Sequence, residues 1–192
     1  MEVVELNEQN FDELLESTVL DISKVEDINW MRNVLLDSRI RSVKIDGNRL
    51  KTKNFPEQEL LLALFEILEG SPLQEVMFSN LDFYPNQLQD LCSLLHPSQT
   101  RVKWNKLTLY NCGIDQFAFQ KICENFSGNA FLRELDISNN CIGDEGMMYL
   151  KISLTGFDNK ITSVFLSHNG ISDKGTYALN YYFASSNSFV SK

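Results

Sequence analysis

The stretch LRELDISNNCIGDEGMMYL, from Leu132 to Leu150, holds two kinds of periodicity in nineteen residues. Leu135, Asp136 and Ile137 alternate apolar, polar, apolar, the period of a short strand with one buried face. Asn140 follows where the chain must leave that strand. An asparagine there can bond backbone groups that would otherwise be buried unpaired. Met147 and Leu150 then start a helical spacing that Leu154 continues just beyond it, so the stretch reads as strand, turn, helix.

The rest of the chain repeats it. Aligned on LRELDISNNCI, four more copies are IRSVKIDGNRL from Ile40, LQEVMFSNLDF from Leu73, WNKLTLYNCGI from Trp104 and ITSVFLSHNGI from Ile161. A weaker copy, MEVVELNEQNF, starts at Met1, and successive starts lie 39, 33, 31, 28 and 29 residues apart. Apolar residues recur at offsets 0, 3, 5 and 10. Offset 8 holds Asn48, Asn140 and Asn169, with Cys112 in one copy and Leu81 in another, where local irregularity is expected. Helical spacing continues in Leu61, Leu64, Phe65 and Leu68, in Leu88, Leu91, Cys92 and Leu95, in Phe119, Ile122, Cys123 and Phe126, and in Thr176, Leu179, Asn180 and Phe183. Asp115, Asp144 and Asp173 suit helix N-caps. Gly146 and Gly175 are expected to let helix and strand approach closely.

These copies resemble the leucine-rich repeat family, whose signature is L-x-x-L-x-L-x-x-N/C-x-L. The later periods and the helical second halves resemble its long-repeat, ribonuclease-inhibitor-like subclass. The resemblance implies an α/β solenoid, a short horseshoe arc with a parallel sheet on the concave face and helices on the convex face. Each unit leaves apolar surface bare, so the units must stack. The expected organisation is an acidic N-terminal cap or partial repeat over 1–39, five repeats over 40–184 and a frayed tail over 185–192. The longer segment between Phe11 and Arg39 is expected to form two helices, Asp12 to about Glu16 and about Val25 to Leu36.

Composition agrees with a globular domain: 43% of residues are hydrophobic and 22% charged. No apolar run is long enough for a membrane span. No basic n-region or apolar h-region opens the chain, so a cytoplasmic protein, in its own or a host cell, is expected. The spacings of Cys92, Cys112, Cys123 and Cys141 match no metal or redox motif, and four reduced, buried thiols are expected. Of the net charge of −9, residues 1–30 carry −8, and Arg39, Arg41, Lys44, Arg49, Lys51 and Lys53 follow at once. That gradient reads either as a solvated face or as a field that orients a partner. The acidity argues against nucleic acid.

No Walker loop, GxGxxG, HExxH or GxSxG occurs. GDEG at Gly143–Gly146 reads as a helix start, because SDKG takes its place in the next copy. No enzyme activity, cofactor or metal is expected, and the chain reads as a monomer. What remains is the concave face, where offsets 2, 4 and 6 point. Partner-binding candidates there are Lys44, Met77, Lys106, Tyr110, Glu134, Asp136, Phe165 and His168. Met77, Tyr110 and Phe165 are large side chains on a face that should be wet, and Glu134 and Asp136 form an acidic pair between them. The expected function is a non-catalytic module that binds a protein. The resemblance also admits a regulator of a GTPase or of actin assembly, or the targeting arm of a bacterial effector.

Overall fold

A computed structural model describes residues 4–5, 19–21, 28–37, 39–48, 57–99, 101–155, 159–177 and 179. Among the described residues, seven strands form one parallel sheet in chain order: β1 (Val4–Glu5), β2 (Val19–Asp21), β3 (Ser42–Asp46), β4 (Glu75–Ser79), β5 (Lys106–Tyr110), β6 (Glu134–Asp136) and β7 (Ser163–Phe165). The helices are α1 (Ile28–Leu35), α2 (Glu57–Gly70), α3 (Pro85–Leu95), α4 (Gln116–Phe126) and α5 (Gly143–Leu154). Residues 173–177 are also helical. From β2 to β7 each crossover places a helix on the same side of the sheet, which is the solenoid the repeats imply.

The register follows the sequence alignment. Val43, Val76, Leu107, Leu135 and Val164 pair strand to strand, and all are buried. Helical residues close the core from the other side: Leu61, Leu64, Phe65 and Leu68 on α2, Leu88 and Leu91 on α3, Phe119 and Ile122 on α4. Phe65, Phe78 and Phe83 join the layers of β3 and β4, the last two meeting edge to face at 5.4 Å.

Asn140 and Asn169 stitch the strand exits. Asn140 Nδ2 donates to Leu109 O, Ile137 O and Ser138 O at 2.7–3.1 Å, and its Oδ1 accepts from Cys112 N and Ile114 N. Asn169 Nδ2 donates to Ile137 O, Leu166 O and Ser167 O. Cys112 reaches equivalent carbonyls, its Sγ donating to Phe78 O at 3.6 Å and Tyr110 O at 3.4 Å.

Several expectations need correction. A strand, β2, lies inside the segment assigned to two helices. Leu20 pairs with Val43 and Val4 with Leu20, so the 39-residue interval contains an extra turn of the solenoid. The second expected helix is α1; the first, over Asp12–Glu16, lies outside the described residues, as does the tail. Asn48 is exposed, and among the described residues its bond is local, its N–H donating to Asp46 Oδ1. The turn at Leu81 keeps the common course: Asn80 N donates to Tyr110 O and Leu81 is buried. Only three thiols are buried, and Cys141 is exposed.

Asp115 caps α4, accepting from Ala118 N at 2.8 Å. Asp144 does not cap its own helix; it lies in the first turn of α5 and accepts from Ser172 N, Ser172 Oγ and Gly175 N of the next repeat. Asp173 is already helical, and Ser172 Oγ accepts from Lys174 N in its place. The two glycines relieve crowding between successive helices and their own entry loops, not between helix and strand. A Cβ on Gly146 would stand 2.8 Å from Ile142 Cβ and 3.2 Å from Phe119 Cδ1, and one on Gly175 would collide with Asp144 Oδ1.

Candidate concave-face site

Because strand side chains alternate, the register that buries Leu107 and Leu135 turns their neighbours to the concave face. Three rows result. Ser42, Glu75, Lys106, Glu134 and Ser163 form the first, and Lys44, Met77, Thr108, Asp136 and Phe165 the second. Asp46, Ser79 and Tyr110 form the third. On the backbone register, Asp21 of β2 pairs with Lys44.

The candidates fall unevenly on these rows. Lys106 and Glu134 are an ion pair across β5 and β6. The hydrogen bond to Glu134 holds the Lys106 ammonium above its ordinary pKa, and the charges of Glu134, Glu75 and Asp136 add to it against the desolvation of partial burial. Asp136 Oδ1 accepts from Ser138 N at 2.8 Å, which fixes its carboxylate at the strand exit. Phe165 pairs with Asp136 and is half-buried. Tyr110 is 42% exposed. Met77 and Asp136 flank Thr108 from either side.

Lys44 stands at the far side of Met77, three strands from Asp136. His168 lies beyond the rows, exposed, at the turn after β7. The face is drier at its middle than the alternation implies. Thr108 and Ser79 belong to the outward rows but are only 3% and 4% exposed. Short side chains between Lys106, Met77 and Tyr110 lie below the level that water reaches.

A ridge at the strand exits escaped the sequence reading. Asn80, Asn111, Asn139 and His168 all have left-handed backbone, with φ between 52° and 63°. Asn111 Nδ2 donates to Asn80 Oδ1 at 2.8 Å, and Asn80 Nδ2 donates to Asp46 Oδ1 at 3.0 Å. The signal was present: offset 7 reads Gly, Asn, Asn, Asn, His, and asparagine tolerates that conformation better than most residues.

Burial pushes the thiols of Cys92, Cys112 and Cys123 up to about 11, 12 and 12. Thiols so raised are poor nucleophiles near neutrality. Among the described residues no group of three or more His, Cys, Asp or Glu could hold a metal ion, and no helix is long and apolar enough to cross a membrane.

A family model described as leucine-rich repeat matches residues 128–151 and 158–179. The chain is 32% identical to ribonuclease inhibitor of Sus scrofa over 88 residues, which is 46% of this chain and 19% of that protein. It is 29% identical to ribonuclease inhibitor of Mus musculus over 102 residues, 53% of this chain and 22% of that one. Protein NLRC5 of Homo sapiens is 32% identical over 85 residues, 43% of this chain and 4% of its own length. The matched stretches thus span about a fifth of the two inhibitors.

Proposed function

The chain is a leucine-rich repeat protein of the ribonuclease-inhibitor-like class, and from that premise we propose that it is a non-catalytic module whose concave sheet binds a protein partner. The observation that carries the reading is the second row: Met77, Asp136 and Phe165 share one register, with Tyr110 in the row beside it. Neighbouring strands stand about 4.8 Å apart, so Tyr110 and Phe165 lie within roughly 10–12 Å of each other. One helix or loop of a partner can touch both. Large side chains of this kind dominate binding energies when a partner covers them. Glu75, Glu134 and Asp136 surround Lys106, so the face favours a basic element and binding weakens as salt rises. The named action of the two inhibitors, on a protein target, supports this class of role.

The test is a set of single substitutions, Tyr110→Ala, Phe165→Ala and Asp136→Lys, each checked for unchanged thermal unfolding, against a partner captured from eukaryotic cytosol. Each alanine change should cost about 2 kcal/mol or more of binding. Wild-type affinity in all three, with loss on substitution of the outer helices instead, overturns the assignment.

A further inference from the structure

The N-terminal ends of the strands form a rim that the concave-face reading leaves unused. Backbone hydrogen bonds set its register. Gln74 N donates to Arg41 O, Asn105 N to Gln74 O, Arg133 N to Asn105 O and Thr162 N to Arg133 O, each at 2.8 Å. Arg41, Gln74, Asn105, Arg133 and Thr162 therefore make one row, and Lys103 and Lys160 each precede its members by two residues. Arg41, Arg101, Lys103 and Lys160 are exposed.

None of these cations has a carboxylate partner among the described residues. Arg41 Nη1 donates to Pro72 O, and Arg133 Nη1 to Ala130 O and Leu132 O, all neutral acceptors. The nearby acids are engaged: Asp37 pairs with Arg39, Glu134 with Lys106, and Glu75 accepts from Ser42 Oγ at 3.5 Å. The other ends of the strands carry the opposite sign, in Asp46, Asp82, Asp115 and Asp144. Helix dipoles account for acids beside helix N-termini and for Lys151 in the last turn of α5. They do not account for Arg41, Lys103, Arg133 and Lys160, which lead into strands, whose dipoles are small.

We propose that this rim docks an extended, acidic segment of a protein partner. From β3 to β7 the rim runs about 19 Å, the length of roughly six residues of extended chain. The exposed amides of Gln74 and Asn105 supply hydrogen bonds between the cations. Nucleic acid fits less well, because the chain carries −9 with acids at the far ends of the same strands, and no aromatic residue interleaves the row for bases to stack on. The inference rests on the chain being a protein-binding module, but on residues distinct from the concave row.

The experiment uses the full chain and a fluorescein-labelled hexaglutamate peptide, followed by anisotropy at low salt, with a labelled DNA duplex in parallel. Lys103→Glu with Lys160→Glu should weaken peptide binding by about tenfold or more, and Lys103→Arg with Lys160→Arg should retain it. Circular dichroism confirms that each variant is folded. Absence of peptide binding, indifference to the charge reversal, or tighter binding of the duplex overturns the proposal. Tyr110→Ala and Phe165→Ala should leave peptide binding unchanged. If they abolish it while the lysine variants do not, the peptide lies on the concave face, and the rim is refuted while the face reading stands. If the face fails with its own partner while the rim still binds hexaglutamate, the reverse holds.

Discussion

At the scale of single residues, the asparagine at the strand exit shows how much one side chain can close. Asn140 is 6% exposed and satisfies three carbonyls and two N–H groups of two repeats. Asn140→Ala should destabilise by about 1–3 kcal/mol in denaturant unfolding, since it strands buried backbone groups. Cys112→Ala should cost less, because the thiol is a weak donor to its two carbonyls. Equal, negligible losses would refute the stitching role. The cysteines make a second prediction: in native buffer Cys141 should react quickly with a thiol reagent, and Cys92, Cys112 and Cys123 slowly. Exposure separates the first from the others, and burial both hides the other three and raises their pKa values.

At the scale of elements, the joints between repeats matter more than the helices themselves. Asp144 on α5 holds the start of the next helical segment through Ser172 and Gly175. Asp144→Ala should lower hydrogen-exchange protection at Gly175 and Thr176 while leaving α4 unchanged. Gly146 packs so close to Ile142 and Phe119 that Gly146→Ala should destabilise by about 1–3 kcal/mol, although alanine is the better helix former. The joint between α1 and β3 gives a pH dependence. Asp37 accepts from the Arg39 side chain and backbone N–H, in that order of effect, and its pKa is held at about 2. An unfolded aspartate titrates near 3.9. The unfolded chain therefore takes up this proton first, and the contribution to stability, complete above about pH 4, is lost as pH falls toward 2. In an NMR titration the Asp37 midpoint should rise toward the ordinary value in Arg39→Ala.

At the scale of the molecule, stability is a sum over neighbouring layers. Phe78 lies between the layers of β3 and β4, fully buried against Phe65 and Phe83. Phe78→Ala should cost about 3–5 kcal/mol in denaturant unfolding, and a loss under 1 kcal/mol would show that the site collapses around the cavity. The layers also stack in one direction, so small asymmetries repeat. Cations gather at the strand starts and acids at the strand ends, and the concave rows lie between them. This polarity along the strands cuts across the gradient along the chain that the linear charge count suggests.

The repeat was legible because burying one face of a strand and one stripe of a helix imposes two local periods, and both survive in the order of residues. Leu107, Leu135 and Val164 could be assigned to the core, and Tyr110, Asp136 and Phe165 to the opposite face, from alternation alone. The layer at β2 was not legible, because short strands need only two or three residues and its remaining positions depart from the frame. Leu20 and Ile22 keep offsets 3 and 5, but Ser17 and Asp27 stand where apolar residues belong. Only hydrogen bonding to β1 and β3 identifies it as a strand. The same limit explains Asp144, whose spacing suits an N-cap but whose partners lie 28 and 31 residues away. It explains Thr108 too, outward by alternation yet shielded by longer neighbours on adjacent strands. Local pattern determines which way a residue faces. What it then touches depends on the next layer of the stack, and that is decided only when the layers pack.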